Sequence, residues 1–184
     1  MKLAVVFPGI GYHKDKPLLY YSSRIAQNSG YETRYIEYHD MPQKIMGNLE
    51  MMKKAAALAF MQTKEQLDDI VFSDYDDVLF IGKSIGTVVL TRYATACGIN
   101  ARQIWYTPVE ATFSSGTHGA IAFIGDDDPW SNVDLVKKLA AQQKIELHSY
   151  PLCNHSLECD DIDQNLINLR NIMDITGRFI NGQI

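Results

Sequence analysis

Three short stretches of this sequence carry residues that could together do acyl-transfer chemistry. They are Gly82-Lys83-Ser84-Ile85-Gly86, Gly125-Asp126-Asp127-Asp128-Pro129, and His155 within Asn154-His155-Ser156-Leu157-Glu158. A serine hydroxyl is a weak nucleophile near neutral pH and needs a base within reach to take its proton. An imidazole can take it, and a carboxylate on the other ring nitrogen fixes the tautomer and steadies the imidazolium. The order along the chain, serine then acid then histidine, is the one that accompanies a nucleophile elbow. Asp128 is the chosen acid, because it stands three residues past Gly125 and directly before Pro129, where strand gives way to helix. Asp126 and Asp127 can cap the turn or face solvent, and either is the alternative acid.

The serine motif has the context such an elbow requires. Val78-Leu79-Phe80-Ile81 runs straight into it, and a helical period follows at once. A side chain at position 82 or 86 would collide where strand and helix come close, and glycine has none. Ser84 would open the helix, whose free N–H groups favour negative charge on a substrate oxygen. Gly82-Lys83-Ser84 also has the ending of a phosphate-binding loop. That reading fails, because Asp77 stands where the first glycine is required and the intervening residues are strand. Lys83 reads as a surface or structural lysine.

Elements to position these residues follow from the hydrophobic pattern. Leu3 to Phe7 reads as a buried strand ending in Pro8-Gly9-Ile10-Gly11, and Pro17 starts a helix with Leu18, Ser22, Ile25 and Ala26 inward. Tyr31 to Tyr38 makes a second strand, and Met41 to Gly47 connects it to a long helix carrying Leu49, Met52, Ala56, Phe60 and Leu67. That methionine and alanine stripe reads as core-facing rather than as a lid. The elbow helix presents Ile85, Val88, Val89, Tyr93 and Ala96 on one face. Gln103 to Tyr106 is the fourth strand, Gly116 to Gly119 closes an irregular loop, and Ala120 to Ile124 is the fifth. Ser131 is placed to cap a helix with Val133, Val136 and Leu139 inward. Ile145 to Tyr150 alternates as an edge strand, and Asp160, Asp161 and Asp163 open a last helix turning Ile162, Leu166, Leu169 and Met173 to the sheet.

Six strands alternating with helices predict an α/β fold: a three-layer α/β/α sandwich with a mostly parallel six-stranded sheet, and ligands at the carboxyl ends of its strands. Alternation alone fits a flavodoxin-like fold equally well. The 184 residues suit a single domain over 1–184, and 46% hydrophobic content is enough for a core. A net charge of −5 gives no general attraction to nucleic acid or to an anionic membrane surface. Cys97, Cys153 and Cys159 form no CxxC pair, so no disulfide framework is expected. The apolar run after Met1 is too short for a signal sequence, which leaves a cytoplasmic protein as the expectation. No metal or other cofactor is expected. Cys153 and His155 lack a second ligand pair, Asp126 to Asp128 is explained by the elbow chemistry, and Gly9-Ile10-Gly11 lacks the third glycine of a dinucleotide fingerprint.

These segments resemble the α/β-hydrolase superfamily, in a small form without its first two strands and without a large cap. The resemblance runs from Pro8-Gly9 through Gly82–Gly86 and Gly125–Pro129 to His155. It implies Ser84 as nucleophile, Asp128 as acid and His155 as base. It also implies an oxyanion hole from the backbone N–H groups of Ile85 and Ile10, with Gly11 as the alternative donor. Pro8 stands where the family often has histidine. The implied activity is hydrolysis of an ester or thioester of a small-molecule acyl substrate. The alternatives are a hydrolase-shaped binding protein without turnover and a flavodoxin-like nucleotide binder. The pocket walls are expected from Gly11, Tyr12 and His13, from Pro108 to Gly116, and from Trp130; without a cap, short acyl chains are expected. His39, His118 and His148 read as loop histidines bonded to backbone.

Overall fold

The computed structural model of the protein describes residues 1–116 and 119–184. Six strands form one sheet: β1 (Lys2–Phe7), β2 (Tyr31–Tyr35), β3 (Asp77–Lys83), β4 (Arg102–Tyr106), β5 (Ala120–Gly125) and β6 (Glu146–Tyr150). Their order is β2-β1-β3-β4-β5-β6, and every neighbouring pair is parallel, so the sheet is wholly rather than mostly parallel. Five α-helices accompany it: α1 (Pro17–Asn28), α2 (Leu49–Gln66), α3 (Ile85–Cys97), α4 (Val133–Gln142) and α5 (Ile162–Ile180).

The central strands are continuous apolar runs because both faces of the sheet are covered. Alternate residues go to opposite cores. Leu3, Val5, Phe7, Val78, Phe80 and Trp105 pack with residues of α2, α3 and α4, among them Ala59, Leu90 and Val136. Ala4, Val6, Leu79, Ile81, Ile104 and Phe123 pack with Leu18 of α1 and Ile172, Ile175 and Phe179 of α5. The chain steps outward from β1 to β2 and then returns past β1 to β3. The carboxyl ends of β1 and β3 therefore lie side by side, at the switch point where such sheets open a crevice.

Several expected boundaries move, each for a physical reason. Strand β2 ends at Tyr35, not Tyr38. Beyond it the backbones of Glu37 and His39 bond to the Gln66 and Gln62 side chains of α2, at 2.8–2.9 Å. Asn132 rather than Ser131 caps α4, accepting from the Leu135 N–H at 3.0 Å. Asp161 caps α5 as an acid should, but Ile162 and Leu166 are exposed; burial begins at Asn168 and follows Ile172, Ile175, Thr176 and Phe179. Ala96 is exposed in the last turn of α3. In α2 the buried residues are the small Ala55, Ala56, Ala59 and Thr63, while Leu49 is exposed. The loop expected over Gly116–Gly119 includes residues 117 and 118, outside the described part.

At the amino ends of the strands, Arg102 ties the layers together. It pairs with Asp77 at 2.8 Å and donates to the Phe179 and Ile180 carbonyls that end α5. Among the described residues no helix is long and apolar enough to cross a membrane.

Two glycines set how closely the loops at the carboxyl edge approach. A Cβ at Gly86 would lie 2.2 Å from the Phe7 carbonyl oxygen and 2.6 Å from that of Pro8. One at Gly125 would lie 2.1 Å from the Cys153 oxygen and 2.6 Å from that of Asn154. Gly86→Ala and Gly125→Ala should each lose about 2 kcal/mol or more, since backbone must move. Gly116→Ala, with open space around it, should stay within about 0.5 kcal/mol of the parent. Urea denaturation of the three variants checks this, and equal midpoints would refute the close approach.

Candidate active site

The site is built from the residue that joins β3 to α3. Ser84 has φ 55° and ψ −121°, a backbone conformation that costs a residue with a Cβ of order 1–3 kcal/mol. It is held there from several sides. Its N–H donates to the Tyr106 carbonyl at 2.9 Å, and its carbonyl accepts from the Thr87 N–H at 2.8 Å and from Thr87 Oγ1 at 2.6 Å. Thr87 Oγ1 in turn lies 2.6 Å from Thr112 Oγ1, which ties the elbow to the loop after β4.

His155 arrives on the loop after β6. Asn154 shapes that loop by accepting at Oδ1 from the Ser156 N–H at 2.7 Å and donating its own N–H to the Glu158 carbonyl at 2.8 Å. The imidazole Nε2 lies 2.7 Å from Ser84 Oγ, and Nδ1 lies 2.7 Å from Asp128 Oδ2. The Asp128 side chain is fully buried, and its Oδ1 accepts from the Trp130 N–H at 2.8 Å. Its two neighbours are engaged elsewhere. Asp126 pairs with Lys137 at 2.8 Å, and Asp127 is exposed. Trp130 stacks on the His155 ring with centroids 5.5 Å apart.

Ile10 and Ile85 both border the cavity that Ser84 and His155 face. Among the described residues neither backbone N–H has an acceptor. For Ile85 this follows from its place as the first residue of α3, where N–H groups have no intrahelical partner. Two free donors beside a serine hydroxyl are what a developing oxyanion needs.

The cavity has a volume of about 670 Å³ and mainly apolar walls. Trp130 lines it, together with Val109, Glu110, Ala111 and Ser114 from the loop after β4. Gly11, Tyr12 and His13 do not. The Gly9–Tyr12 bridge makes a tight turn that drives Tyr12 into the core, where its hydroxyl accepts from the Leu18 N–H at 3.2 Å. Gly11 and His13 face a separate, shallower cleft beside Glu37. Of the two candidate donors in this turn, Ile10 borders the cavity of Ser84 and Gly11 does not. Much of the remaining wall comes from Ile45, Met46, Leu49 and Met52. The start of α2 therefore walls the cavity, with Ala56 both lining it and packed in the core, and the argument for short acyl chains loses its basis. Of the other histidines, His148 stacks on Phe123 rather than bonding to backbone, His39 is exposed, and His118 lies outside the described residues.

Lys83 was hidden in the sequence. Its residue is 1% exposed, and its Nζ sits 4.9 Å from the centroid of the Tyr12 ring. Strand alternation could have revealed this, because Leu79, Ile81 and Lys83 share one face. Desolvation pushes the ammonium down to about 7, against partial support from Asp128 and Glu158. His155 is likewise held below its ordinary value, chiefly by burial; Asp128 works to raise it, and the Lys83 charge lowers it further. Among the described residues no cluster of histidine, cysteine and acidic side chains is arranged to hold a metal ion.

No protein-family model matches the sequence, and no curated protein matches it. Solved structures do. A lidless α/β serine hydrolase from Xanthomonas campestris superposes with a TM-score of 0.65 at 16% identity, over 96% of this chain and 81% of that one. Est1E of Butyrivibrio proteoclasticus gives 0.69 at 13% identity, over 99% and 88%. An esterase of Pyrococcus furiosus gives 0.65 at 12%, over 98% and 82%. At such identities the likeness is one of fold.

The electrostatics give a direct titration test. In an NMR titration the His155 imidazole should have its midpoint below 6.5, because burial opposes its charge. Lys83→Met removes a neighbouring cation, so the midpoint should rise. A midpoint at or above the ordinary value, or a downward move in the variant, would show that the two groups do not share a field.

Proposed function

We propose that this chain, an α/β-hydrolase by fold, is a serine hydrolase that cleaves an ester or thioester of a small substrate through an acyl-enzyme. One observation carries the reading: the continuous line Ser84 Oγ–His155–Asp128, each link 2.7 Å long, opening on an apolar cavity edged by two free N–H groups.

The steps follow from that geometry. The substrate carbonyl lies against the N–H groups of Ile10 and Ile85. Ser84 Oγ attacks its carbon while His155 Nε2 takes the serine proton. The tetrahedral oxygen gathers negative charge where the two donors and the start of α3 favour it. His155 then gives its proton to the leaving alcohol or thiol, and the acyl group stays on Ser84. Water then attacks the acyl carbon as His155 takes one of its protons; the bond to Ser84 Oγ breaks, His155 returns the proton to that oxygen, and the free acid leaves. Asp128 keeps its charge throughout, holding the Nδ1 proton and favouring the imidazolium. Without a charged partner, a histidine so buried would give up that form too readily.

A hydrolase-shaped binding protein is separated from this reading by chemistry at one atom. A fluorophosphonate should label Ser84, and Ser84→Ala should abolish labelling; a folded protein that resists the probe would refute the enzyme. Asp128→Asn should keep the fold and lower kcat by roughly 10³–10⁴-fold, because the amide stabilises the wrong imidazole tautomer. Asp126→Asn and Asp127→Asn should cost far less, as neither touches the ring. Steady-state kinetics with circular dichroism decides among them.

Cavity size sets a second expectation. Each methylene buried on the Ile45–Met52 wall is worth about 0.8 kcal/mol, up to about fourfold in kcat/KM. Para-nitrophenyl hexanoate should therefore be a better substrate than the acetate. A steady fall from acetate upward would mean that acyl chains do not enter this cavity.

A further inference from the structure

The cavity beside Ser84 begins apolar and carries unpaired positive charge further along its wall. On α3, Ile85, Val88 and Arg92 fall at i, i+3 and i+7 and share the face that lines it. At 1.5 Å per residue Arg92 stands about 10 Å along the helix from Ile85. The cavity's charged lining consists of Lys53, Arg92 and Glu110, with His155 at the reactive end. Glu110 is already engaged: its Oε1 accepts from the Asn132 N–H at 2.6 Å, at the start of α4. Lys53 and Arg92 form no hydrogen bond or ion pair with any described residue. Arg92 is also half-buried. A guanidinium held partly out of water without an anion is poorly compensated, and its planar fork matches a carboxylate.

We propose that the substrate carries a carboxylate at the far end of its apolar limb, and that Arg92 receives it, with Lys53 adding to the attraction. The proposal rests on the hydrolase reading above and names its substrate class: esters or thioesters bearing an acid-terminated apolar chain. The apolar part lies along Val88, Val109 and Met52, and its length sets whether the acid reaches Arg92. Hydrolysis adds water across the ester and leaves the distant carboxylate unchanged.

The test compares matched pairs. Para-nitrophenyl hemiesters of diacids from glutaric to sebacic place the carboxylate on the acyl side. Butyryl esters of ω-hydroxy acids place it on the alcohol side. Each is set against a neutral ester of equal length. One side should show at least a tenfold advantage in kcat/KM for the acid at one favoured length, expressed mainly in KM and shrinking as salt is raised. Arg92→Gln should collapse that acid-to-neutral ratio towards one, and Arg92→Lys should restore part of it. Neutral esters matching the acids at every length on both sides would overturn the proposal, as would an unchanged ratio in Arg92→Gln. If no ester of either kind is turned over, the hydrolase reading fails by itself. Calorimetric binding of suberate to the parent and to Arg92→Gln still decides the anion site: binding lost in the variant supports it, and no binding to the parent overturns it.

Discussion

Backbone packed against backbone at two glycines is the constraint on which the site depends. Gly86 lets the first turn of α3 settle onto the Phe7 and Pro8 carbonyls, and Gly125 lets the loop after β6 settle onto the end of β5. The first contact brings the Ile10 N–H to the side of the elbow. The second brings the loop that bears His155 beside Asp128. Neither could be made by a longer strand or a better helix, because the obstacle would be a single Cβ in each case. Distances of 2.7 Å on both sides of one imidazole are thus a consequence of loop packing, with side-chain rotamers making the last adjustment.

The same packing encloses charge. Asp128 is buried with a backbone N–H and an imidazole as its hydrogen-bond partners, and Lys83 lies buried over the Tyr12 ring with no ion pair among the described residues. Burial lowers both Lys83 and His155, and the Lys83 charge lowers His155 further. The carboxylate is the common counterweight. Its charge keeps the imidazolium accessible in surroundings that would otherwise exclude it, and it gives the lysine its leading electrostatic support. The strained Ser84 backbone is maintained by its hydrogen bonds to Tyr106 and Thr87, the latter bonded in turn to Thr112, which is the usual condition for such a conformation to persist.

What the sequence made legible was local in origin. The elbow, the parallel strands and the order of serine, acid and histidine come from runs of a few residues whose meaning does not depend on distant partners. Strand order helps less, since β2-β1-β3-β4-β5 is shared with flavodoxin-like sheets. The sixth strand, with His155 after it, and the positive φ of Ser84 mark the difference. The errors arose where a side chain's direction is set by a turn or by another element. Tyr12 reads as a pocket residue, but the Gly9 bridge turns it inward, and of the two readings of Lys83, surface or structural, its place on the buried face of Leu79 and Ile81 excludes the first. Ile162 and Leu166 matched a helical stripe, but the helix meets the sheet only from Asn168 onward.

The misread start of α2 explains how so small a fold encloses a cavity at all. Two large clusters clamp the sheet, one on each face. A third and smaller one, made of Ile45, Ala55, Ala56, Ile85, Val88 and Val109, gathers the residues between α2, α3 and the loop after β4. The alanines let α2 approach α3 closely, and the approach leaves Met46, Leu49 and Met52 leaning over the groove beside Ser84. Those side chains do what a separate cap would do elsewhere. Met52 packs against the third cluster, whereas Ser84, Asp128 and His155 are fixed by the sheet edge and its glycines. Methionine adapts to irregular shapes with little loss of packing, so this wall can change shape without disturbing the hydrogen bonds that join Ser84, His155 and Asp128.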